Sequence, residues 1–344
     1  MNKIKGQVIT DEYAIYNADN MDIMVTLPDD SVDLVVYSPP FSSKEAGALY
    51  SYSSDHRDMS NCATNEEFLA QYGFLVKELS RVTKPGRINA VHCTDLIQHD
   101  GRLADFPHEI IKLYEGNGFK LYNRITIWKE PLRVRTRTMV QSLMHKFIVE
   151  DSTKCFTAMP DYVLIFKKNG DNEVPVTHNS GLTKYYGDTP ILPAMVGIFN
   201  RANETNFDAV QLWDYLKNTY ADHKDPKSNK LSHYIWQRYA SSVWDDIRID
   251  NVLPFRDSKE EDDEKHVHPL QLDVIDRLVD LYSNPNEVVL TPFMGVGSEV
   301  YSPVSLGRKA IGIELKDSYF KQATINLSLA NERFNDELMQ EALF

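Results

Sequence analysis

The chain has 344 residues, of which 42% are hydrophobic, 11% aromatic and 25% charged. This length allows two to three domains of about 100–200 residues each, and the composition excludes disordered, collagen-like, coiled-coil and disulfide-scaffold proteins. No apolar run reaches the roughly 18–20 residues that cross a bilayer. The first residues are followed by charges rather than by the apolar core of a signal peptide, so we expect a cytoplasmic protein with no membrane partner. The three cysteines are far apart, which fits reduced thiols and predicts no metal site.

The net charge is −13, which by itself argues against a nucleic-acid partner. The charge is unevenly distributed, however, because residues 120–168 contain ten Lys/Arg against four Asp/Glu and so carry +6. An acidic protein with one basic strip can still hold a phosphate backbone, because the potential at the contact surface is what matters. A nucleic-acid partner therefore stays open.

Hydrophobic patterns predict alternating strands and helices in the first part of the chain. Val32–Tyr37 is a β-branched apolar run stopped by two prolines, as in a buried strand that ends at a rigid turn. Residues 66–82 place apolar side chains at three-to-four spacing, which predicts an amphipathic helix. Further strands are predicted at 88–93, 121–128 and 161–167. Strands that alternate with helices indicate a parallel α/β sheet.

This alternation stops between about 171 and 243, where aromatic residues accumulate. We predict an inserted, partly helical domain there, whose aromatic residues form either its own core or a stacking surface. The α/β pattern then returns, with a predicted helix at 269–282, strand at 287–290, helix at 298–306 and strand at 309–313. The α/β sheet is therefore predicted to be built from two separate parts of the chain.

Two glycines and an acidic residue follow the last two predicted strands. Gly295 and Gly297 lie in a strand-to-helix turn, and Glu314 ends the next strand. Glycines at such a turn let the backbone approach a ligand, and the acid can accept two hydrogen bonds from ribose hydroxyls. The pattern favours an adenosine-bearing cofactor, with an ordinary tight turn and a surface glutamate as the alternative.

A second segment, Ser38-Pro39-Pro40-Phe41, directly follows the strand at 32–37. The two prolines hold the Ser38 and Pro39 oxygens rigidly at the carboxyl end of a strand, which is the edge where ligands bind in α/β sheets. Considered alone, the segment is more consistent with a proline-stiffened loop.

Together these segments resemble the DNA amino-methyltransferases, which methylate N4 of cytosine or N6 of adenine from S-adenosylmethionine. The resemblance covers about 1–170 and 244–330. Three further segments extend it. Ala18-Asp19 looks like the family's upstream acidic motif, Arg81–Gly86 like its helix end, and His268–Gln271 like the motif before its cofactor strand. The catalytic half comes first, as in the beta group of the family. Thr291 and Asp273 depart from the pattern, because Asp and Lys are usual at these positions.

The resemblance implies a Rossmann-like seven-stranded methyltransferase sheet with an inserted, partly helical recognition domain. The implied division is a catalytic half at 1–170, a target-recognition domain at 171–243, and a cofactor-binding half with a C-terminal helix at 244–344. The implied catalytic residues are Ser38, Pro39, Pro40 and Phe41. The residues implied to bind S-adenosylmethionine are Asp19, His268, Phe293, Gly295, Gly297, Ser298 and Glu314. The implied partner is double-stranded DNA, and a homodimer is a further possibility.

The chemistry of the target amine explains how this turn would act in catalysis. The lone pair of an exocyclic amine is delocalised into the ring, so the nitrogen is a poor nucleophile. If Ser38 and the Pro39 carbonyl hold its two hydrogens, the nitrogen can pyramidalise toward the sulfonium methyl. Phe41 would stack on a base rotated out of the duplex. A serine in the first position resembles the N4-cytosine group, whereas aspartate is more usual for N6-adenine, so we favour cytosine.

Arg133, Arg135 and Arg137 alternate after the strand at 121–128, so we predict a loop that contacts successive phosphates, with a solvated charged loop as the alternative. His92 is predicted to be a core or edge residue rather than a base. Three other functions stay open. They are methylation of RNA or protein, a catalytically silent nucleic-acid-binding subunit, and, less well supported, a Rossmann dehydrogenase.

Overall fold

The computed structural model describes residues 4–40, 52–53, 55–97, 103–138, 141–188, 191–258, 269–328 and 330. Phe41 and His268, two of the predicted site residues, lie outside these ranges, as does the side chain of Arg137. No helix within the ranges is long and apolar enough to cross a membrane.

Eleven strands are found in the described residues, and nine of them form one sheet in the order β1-β2-β11-β10-β3-β4-β8-β7-β9. The strands are β1 Ile4–Ile9, β2 Tyr13–Ala18, β3 Val32–Tyr37, β4 Thr83–Thr94, β5 Leu96–Ile97, β6 Leu103–Ala104, β7 Phe119–Ile127, β8 Asp161–Lys168, β9 Val243–Trp244, β10 Val288–Thr291 and β11 Lys309–Glu314. The short β5 and β6 pair with each other in a separate sheet.

The α/β fold is confirmed, but the predicted strand number and direction are wrong in part. The central sheet has seven strands, which are in spatial order β2, β11, β10, β3, β4, β8 and β7. Strands β1 and β9 extend it at its two edges. The sheet is mixed, because β8 runs antiparallel to both β4 and β7. Sequence patterns missed the edge strands because β1 is half exposed and β9 has only two residues. The predicted strand at 32–37 is confirmed at both ends.

The helices are α1 Asn20–Met24, α2 Asn65–Val82, α3 Phe106–Glu115, α4 Pro131–Thr138, α5 His145–Glu150, α6 Pro193–Asn203, α7 Ala209–Tyr220, α8 Lys230–Tyr239, α9 Leu272–Tyr282, α10 Ser298–Ser305 and α11 Asp317–Ser328. They cover both faces of the sheet. Val35 and Tyr37 of β3 pack with α2 and α3, whereas Leu34 and Val36 pack with α9. A strand buried on both faces reads as a continuous apolar run, which explains why β3 was visible in the sequence.

Helices α6, α7 and α8 pack around a separate hydrophobic cluster that includes Phe199, Leu212 and Ile235. The fully buried Arg277 belongs to α9, which packs on the sheet, and it contacts the chain both before α6 and after α8. Its guanidinium donates to the Tyr186 carbonyl at 2.7 Å and to Asp246 at 2.7 Å. A buried charge paired in this way is costly to separate from its partner, so this contact fixes the helical segment to the sheet.

Candidate active site

A cavity of about 290 Å³ opens at the carboxyl ends of β2, β3, β10 and β11. These four strands are adjacent in the sheet and run parallel to one another, so the residues that follow them meet at one edge. The cavity lining includes the predicted residues Asp19, Ser38, Pro39, Pro40, Phe293, Gly295, Ser298 and Glu314. The structure thus brings the two predicted motifs, distant in sequence, to a single pocket.

The turn between β10 and α10 approaches the cavity with bare backbone. Gly295 and Gly297 have φ of +54° and +96°, in the left-handed region that glycine adopts without strain. A side chain added at Gly295 would meet no described atom within 4 Å, so this position is open. The turn can therefore lie directly against a ligand at Gly295. Gly297 is absent from the cavity lining, and a side chain added there would meet Ala323 of α11 at 3.2 Å.

Glu314 lies at the end of β11 with only 4% of its surface exposed. Its carboxylate accepts hydrogen bonds from the backbone N–H groups of Gly295 at 2.8 Å and Lys316 at 2.7 Å, and from the Tyr52 hydroxyl at 3.1 Å. Burial raises its pKa to about 7 against the lowering effect of these donors. An acceptor is therefore held rigidly at the position where the sequence predicts a ribose contact.

Asp19, which directly follows the end of β2, is a second acidic residue in the cavity lining. Its side chain accepts from the Met21 N–H at 2.9 Å and so caps the first turn of α1. Burial raises the pKa of Asp19, partly offset by this hydrogen bond and by Arg57. The carboxyl group is fixed in orientation while it lines the cavity.

These features fit an adenosine-bearing cation such as S-adenosylmethionine. Phe255, Phe293 and Tyr319 provide apolar and aromatic lining, and Asp19 and Glu314 provide acidic groups. The Ser298 hydroxyl, 1% exposed, has no hydrogen-bond partner among the described residues. Buried hydroxyls are seldom left unpaired, so this one is available to a bound ligand.

The Ser38-Pro39-Pro40 turn lines the same cavity, and Ser38 contacts His92. Ser38 Oγ is 3.3 Å from His92 Nδ1 and 3.2 Å from the His92 carbonyl oxygen. His92 is buried, as predicted, but its side chain faces the predicted catalytic serine. Sequence spacing gave no sign of this contact, which depends on the pairing of β3 with β4 that aligns Tyr37 with Val91.

The predicted arginine loop is instead the helix α4. Pro131 occupies the first helical turn, and the Glu130 carboxylate accepts from the N–H groups of Leu132 at 3.0 Å and Arg133 at 2.6 Å. Proline at this position is a helix-start signal that the charge pattern concealed. On a helix, residues two apart do not face each other, so Arg133 and Arg135 lie on different sides. Arg133 also pairs with Asp250 at 2.8 Å.

The two departures from the family pattern have different surroundings. Asp273 is fully buried and accepts from the Arg248 and Asn251 side chains, which lie in the loop before α9. It is absent from the cavity lining and serves to hold that loop. Thr291 is fully buried at the end of β10, with no described partner for its hydroxyl.

Glu299, not identified from sequence, also lines the cavity, and it is 4% exposed. Burial, with a smaller effect of Glu314, raises its pKa to about 8. Tyr52 was missed as well. Both residues reach the pocket through the fold: Glu299 from the first turn of α10 and Tyr52 from a segment distant in sequence.

The Glu299 carboxyl predicts an unusual pH dependence of stability. Since its pKa is higher in the folded than in the unfolded protein, the folded state alone holds this proton between about pH 4.5 and pH 8. Its contribution to stability therefore falls as pH rises through that window. We expect Glu299→Gln to unfold at a higher temperature relative to wild type at pH 9 than at pH 5, in the absence of ligand. A constant difference in melting temperature would refute this.

A family model described as DNA methylase, N6_N4_Mtase, matches residues 32–325. The Type II methyltransferase M.BglII of Bacillus subtilis is 24% identical over 307 residues, which are 89% of this chain and 66% of that protein. The chain thus spans slightly less than two thirds of that relative.

Two solved structures have similar folds. The cytosine-N4-specific PvuII DNA methyltransferase aligns with a TM-score of 0.56 at 13% identity, covering 96% of this chain and 95% of that one. TTHA0409 from Thermus thermophilus, solved in complex with S-adenosyl-L-methionine, aligns with a TM-score of 0.53 at 19% identity, covering 91% and 93%. At these identities the likeness shows the shared methyltransferase fold.

Proposed function

The chain belongs to the N6_N4_Mtase family of S-adenosylmethionine-dependent DNA methyltransferases, and we propose that it methylates N4 of cytosine in double-stranded DNA. The observation that carries this proposal is the position of the Ser38-Pro39-Pro40 turn in the wall of the cofactor cavity. A target amine at this turn would lie next to the methyl donor.

The chemistry follows from the acceptors that the turn presents. Bound S-adenosylmethionine supplies an electrophilic methyl group. Ser38 Oγ and the Pro39 carbonyl would each accept a hydrogen bond from the target amine, which orients the nitrogen lone pair toward the pocket. This is catalysis by positioning and electrostatic stabilisation. Phe41 would stack on the extruded base.

Cytosine is favoured over adenine because position 38 holds a hydroxyl. Serine at this position resembles the N4-cytosine group of the family, whereas aspartate is more usual for N6-adenine. Adenine N6 is the second candidate, since the matching family includes both kinds of enzyme by name.

We further propose that the chain is a beta-group enzyme and that the segment 171–243 recognises the target sequence. The turn after β3 precedes the cofactor turn after β10 in the chain, which supports the first proposal. Helices α6–α8 form their own hydrophobic cluster outside the sheet, which supports the second. We include a homodimer in the proposal, to be tested by sedimentation at working concentrations.

Product analysis tests the assignment. DNA from cells that express the protein would be digested to nucleosides and separated by mass spectrometry, alongside RNA and protein acceptors incubated with the purified enzyme. We expect N4-methylcytosine in DNA only. N6-methyladenine alone would establish the second candidate, labelled RNA or protein would refute a DNA-restricted activity, and no product would indicate a silent binding subunit.

The α4 arginines predict a salt-dependent contact with DNA. This helix follows β7 at the same edge of the sheet as Ser38, because β7 runs antiparallel to β8 and β8 antiparallel to β4. We expect Arg133→Ala/Arg135→Ala to flatten the slope of log K against log salt by about 0.9 for each phosphate that the variant no longer neutralises. Sequence preference should barely change.

Lys309→Ala is the matched control, because this exposed lysine begins β11 at the opposite edge of the sheet. Its salt slope should equal that of wild type. An unaltered slope in the double arginine variant would mean that α4 faces solvent in the complex.

A further inference from the structure

Behind Ser38, three polar side chains form a continuous line into the protein. His92 Nδ1 lies 3.3 Å from Ser38 Oγ, His92 Nε2 lies 3.3 Å from Asp161 Oδ2, and Asp161 Oδ1 lies 2.5 Å from Lys129 Nζ. His92 and Asp161 are 9% and 6% exposed. The line begins at the predicted catalytic serine and ends at a lysine that is 26% exposed.

The sheet topology places these residues together. Ser38 follows β3, His92 lies near the carboxyl end of the parallel strand β4, and Asp161 begins the antiparallel strand β8. Lys129 follows the carboxyl end of β7, which is antiparallel to β8. Four adjacent strands thus each contribute one residue at the edge of the sheet where the cofactor cavity opens.

The line also assigns the histidine tautomer. Burial would raise the pKa of Asp161, but His92 and Lys129 outweigh it and lower that pKa to about 2, so the carboxylate is ionised. The Nε2–Oδ2 approach of 3.3 Å does not meet hydrogen-bond geometry, but an ionised carboxylate this close favours a proton on Nε2. Nδ1 then has a free lone pair that faces the Ser38 hydroxyl and can accept its proton.

We propose that Ser38, His92 and Asp161 form a proton relay that takes up the proton released by the target amine. This inference rests on the proposed function. As the N–C bond forms and the methyl C–S bond breaks, the amine nitrogen becomes positively charged and must lose one proton. That proton passes to Ser38 Oγ, the hydroxyl proton passes to His92 Nδ1, and the imidazolium is stabilised by Asp161. Exchange with water returns His92 to its neutral form.

A serine at this position needs a neighbouring base before it can accept a proton from the amine. A protonated alcohol is a strong acid, so a hydroxyl can accept a proton only while it gives up its own. An adjacent base that receives that proton is the activation pattern of hydroxyl groups in enzymes. His92 thus acts through Ser38, and it is the last side chain of the relay to hold the proton before water takes it up.

The test compares His92→Asn with wild type in single-turnover methylation of DNA at saturating S-adenosylmethionine. The asparagine side-chain oxygen can replace Nδ1 as an acceptor and orient Ser38, but it cannot hold a proton. We expect about a hundredfold slower methyl transfer, with cofactor and DNA affinities close to wild type. His108→Asn, an exposed histidine on α3, is the matched control and should be as fast as wild type.

The pH profile provides a second readout, one that a purely structural role would not change. The ionisable groups that face His92 are Asp161 from β8 and, on the far side of that carboxylate, Lys129 after β7. A relay that ends on a neutral base loses activity in acid, so the wild-type single-turnover rate should decline as the pH is lowered. The residual rate of His92→Asn should be nearly independent of pH. Asp161→Asn should shift the wild-type midpoint to lower pH, because the imidazolium loses its carboxylate.

Each outcome decides the proposal. A His92→Asn rate equal to wild type, or a loss explained entirely by weaker cofactor or DNA binding, would overturn the relay and leave the proposed function standing. If His92→Asn does not fold, a wild-type rate that is constant from about pH 5 to pH 8 would overturn the relay. A wild-type protein that yields no methylated base would overturn the proposed function and the relay with it.

Discussion

Replacing Ser38 with alanine should slow methyl transfer by about 10²–10³-fold, the usual effect of removing one preorganised hydrogen-bonding group from a reaction centre. The variant loses the hydroxyl that would hold an amine hydrogen and its contact with His92 Nδ1. S-adenosylmethionine affinity should change little, since the groups proposed to bind the cofactor are unaltered. Rapid-quench measurement of methylated nucleoside and calorimetry of cofactor binding would separate the two effects.

Ser31→Ala provides the matched control, because Ser31 precedes the same strand at its opposite end and its hydroxyl donates to the Pro28 carbonyl at 2.7 Å. Its methyl-transfer rate should match wild type. A Ser38→Ala enzyme with full single-turnover rate would remove the serine from the reaction and leave the backbone carbonyls of the turn as the acceptors.

Glu314→Ala should weaken S-adenosylmethionine binding by roughly ten- to hundredfold, measured by calorimetry. The substitution would remove the two hydrogen bonds proposed to ribose hydroxyls, each worth about 0.5–1.5 kcal/mol and more for a charged acceptor. It also leaves the Gly295 and Lys316 N–H groups without their carboxylate, so the melting temperature must be recorded with the affinity.

Two comparisons make this result specific. Wild-type affinity should rise as pH increases through about 7, because Glu314 becomes ionised there, whereas Glu314→Gln should lose that dependence. Glu12→Ala, an exposed glutamate before β2, should bind as wild type does. Unchanged affinity in a folded Glu314→Ala protein would exclude this residue from the site.

Local features made much of the site predictable. The β-branched run of β3, the paired prolines after it and the glycines after β10 are signals within a few residues of one another, and the structure confirms the elements they predict. Their meeting at one cavity followed from the rule that ligands bind at the carboxyl ends of strands in α/β sheets. Conformation fixed by neighbours in sequence is readable from the sequence.

Features that depend on through-space pairing were not predictable in this way. His92 looked like a core residue because nothing near it in sequence reveals that β4 lies beside β3 and β8. Tyr52 reaches Glu314 across 262 positions of the chain. In α4, the high density of arginines favoured a loop, although Pro131 and the Glu130 cap start a helix.

The buried Arg277 limits how far the α6–α8 segment can be exchanged between related proteins. Its guanidinium packs over the rings of Tyr239 at 4.6 Å and Trp244 at 4.8 Å and donates to Asp246. A chimera whose exchanged segment extended through residue 246, with no acid at that position, would leave a buried charge uncompensated, at a cost of about 3–5 kcal/mol, a large share of the stability of a typical domain. A successful graft therefore has to keep Tyr239, Trp244 and Asp246, or equivalent residues, around this arginine.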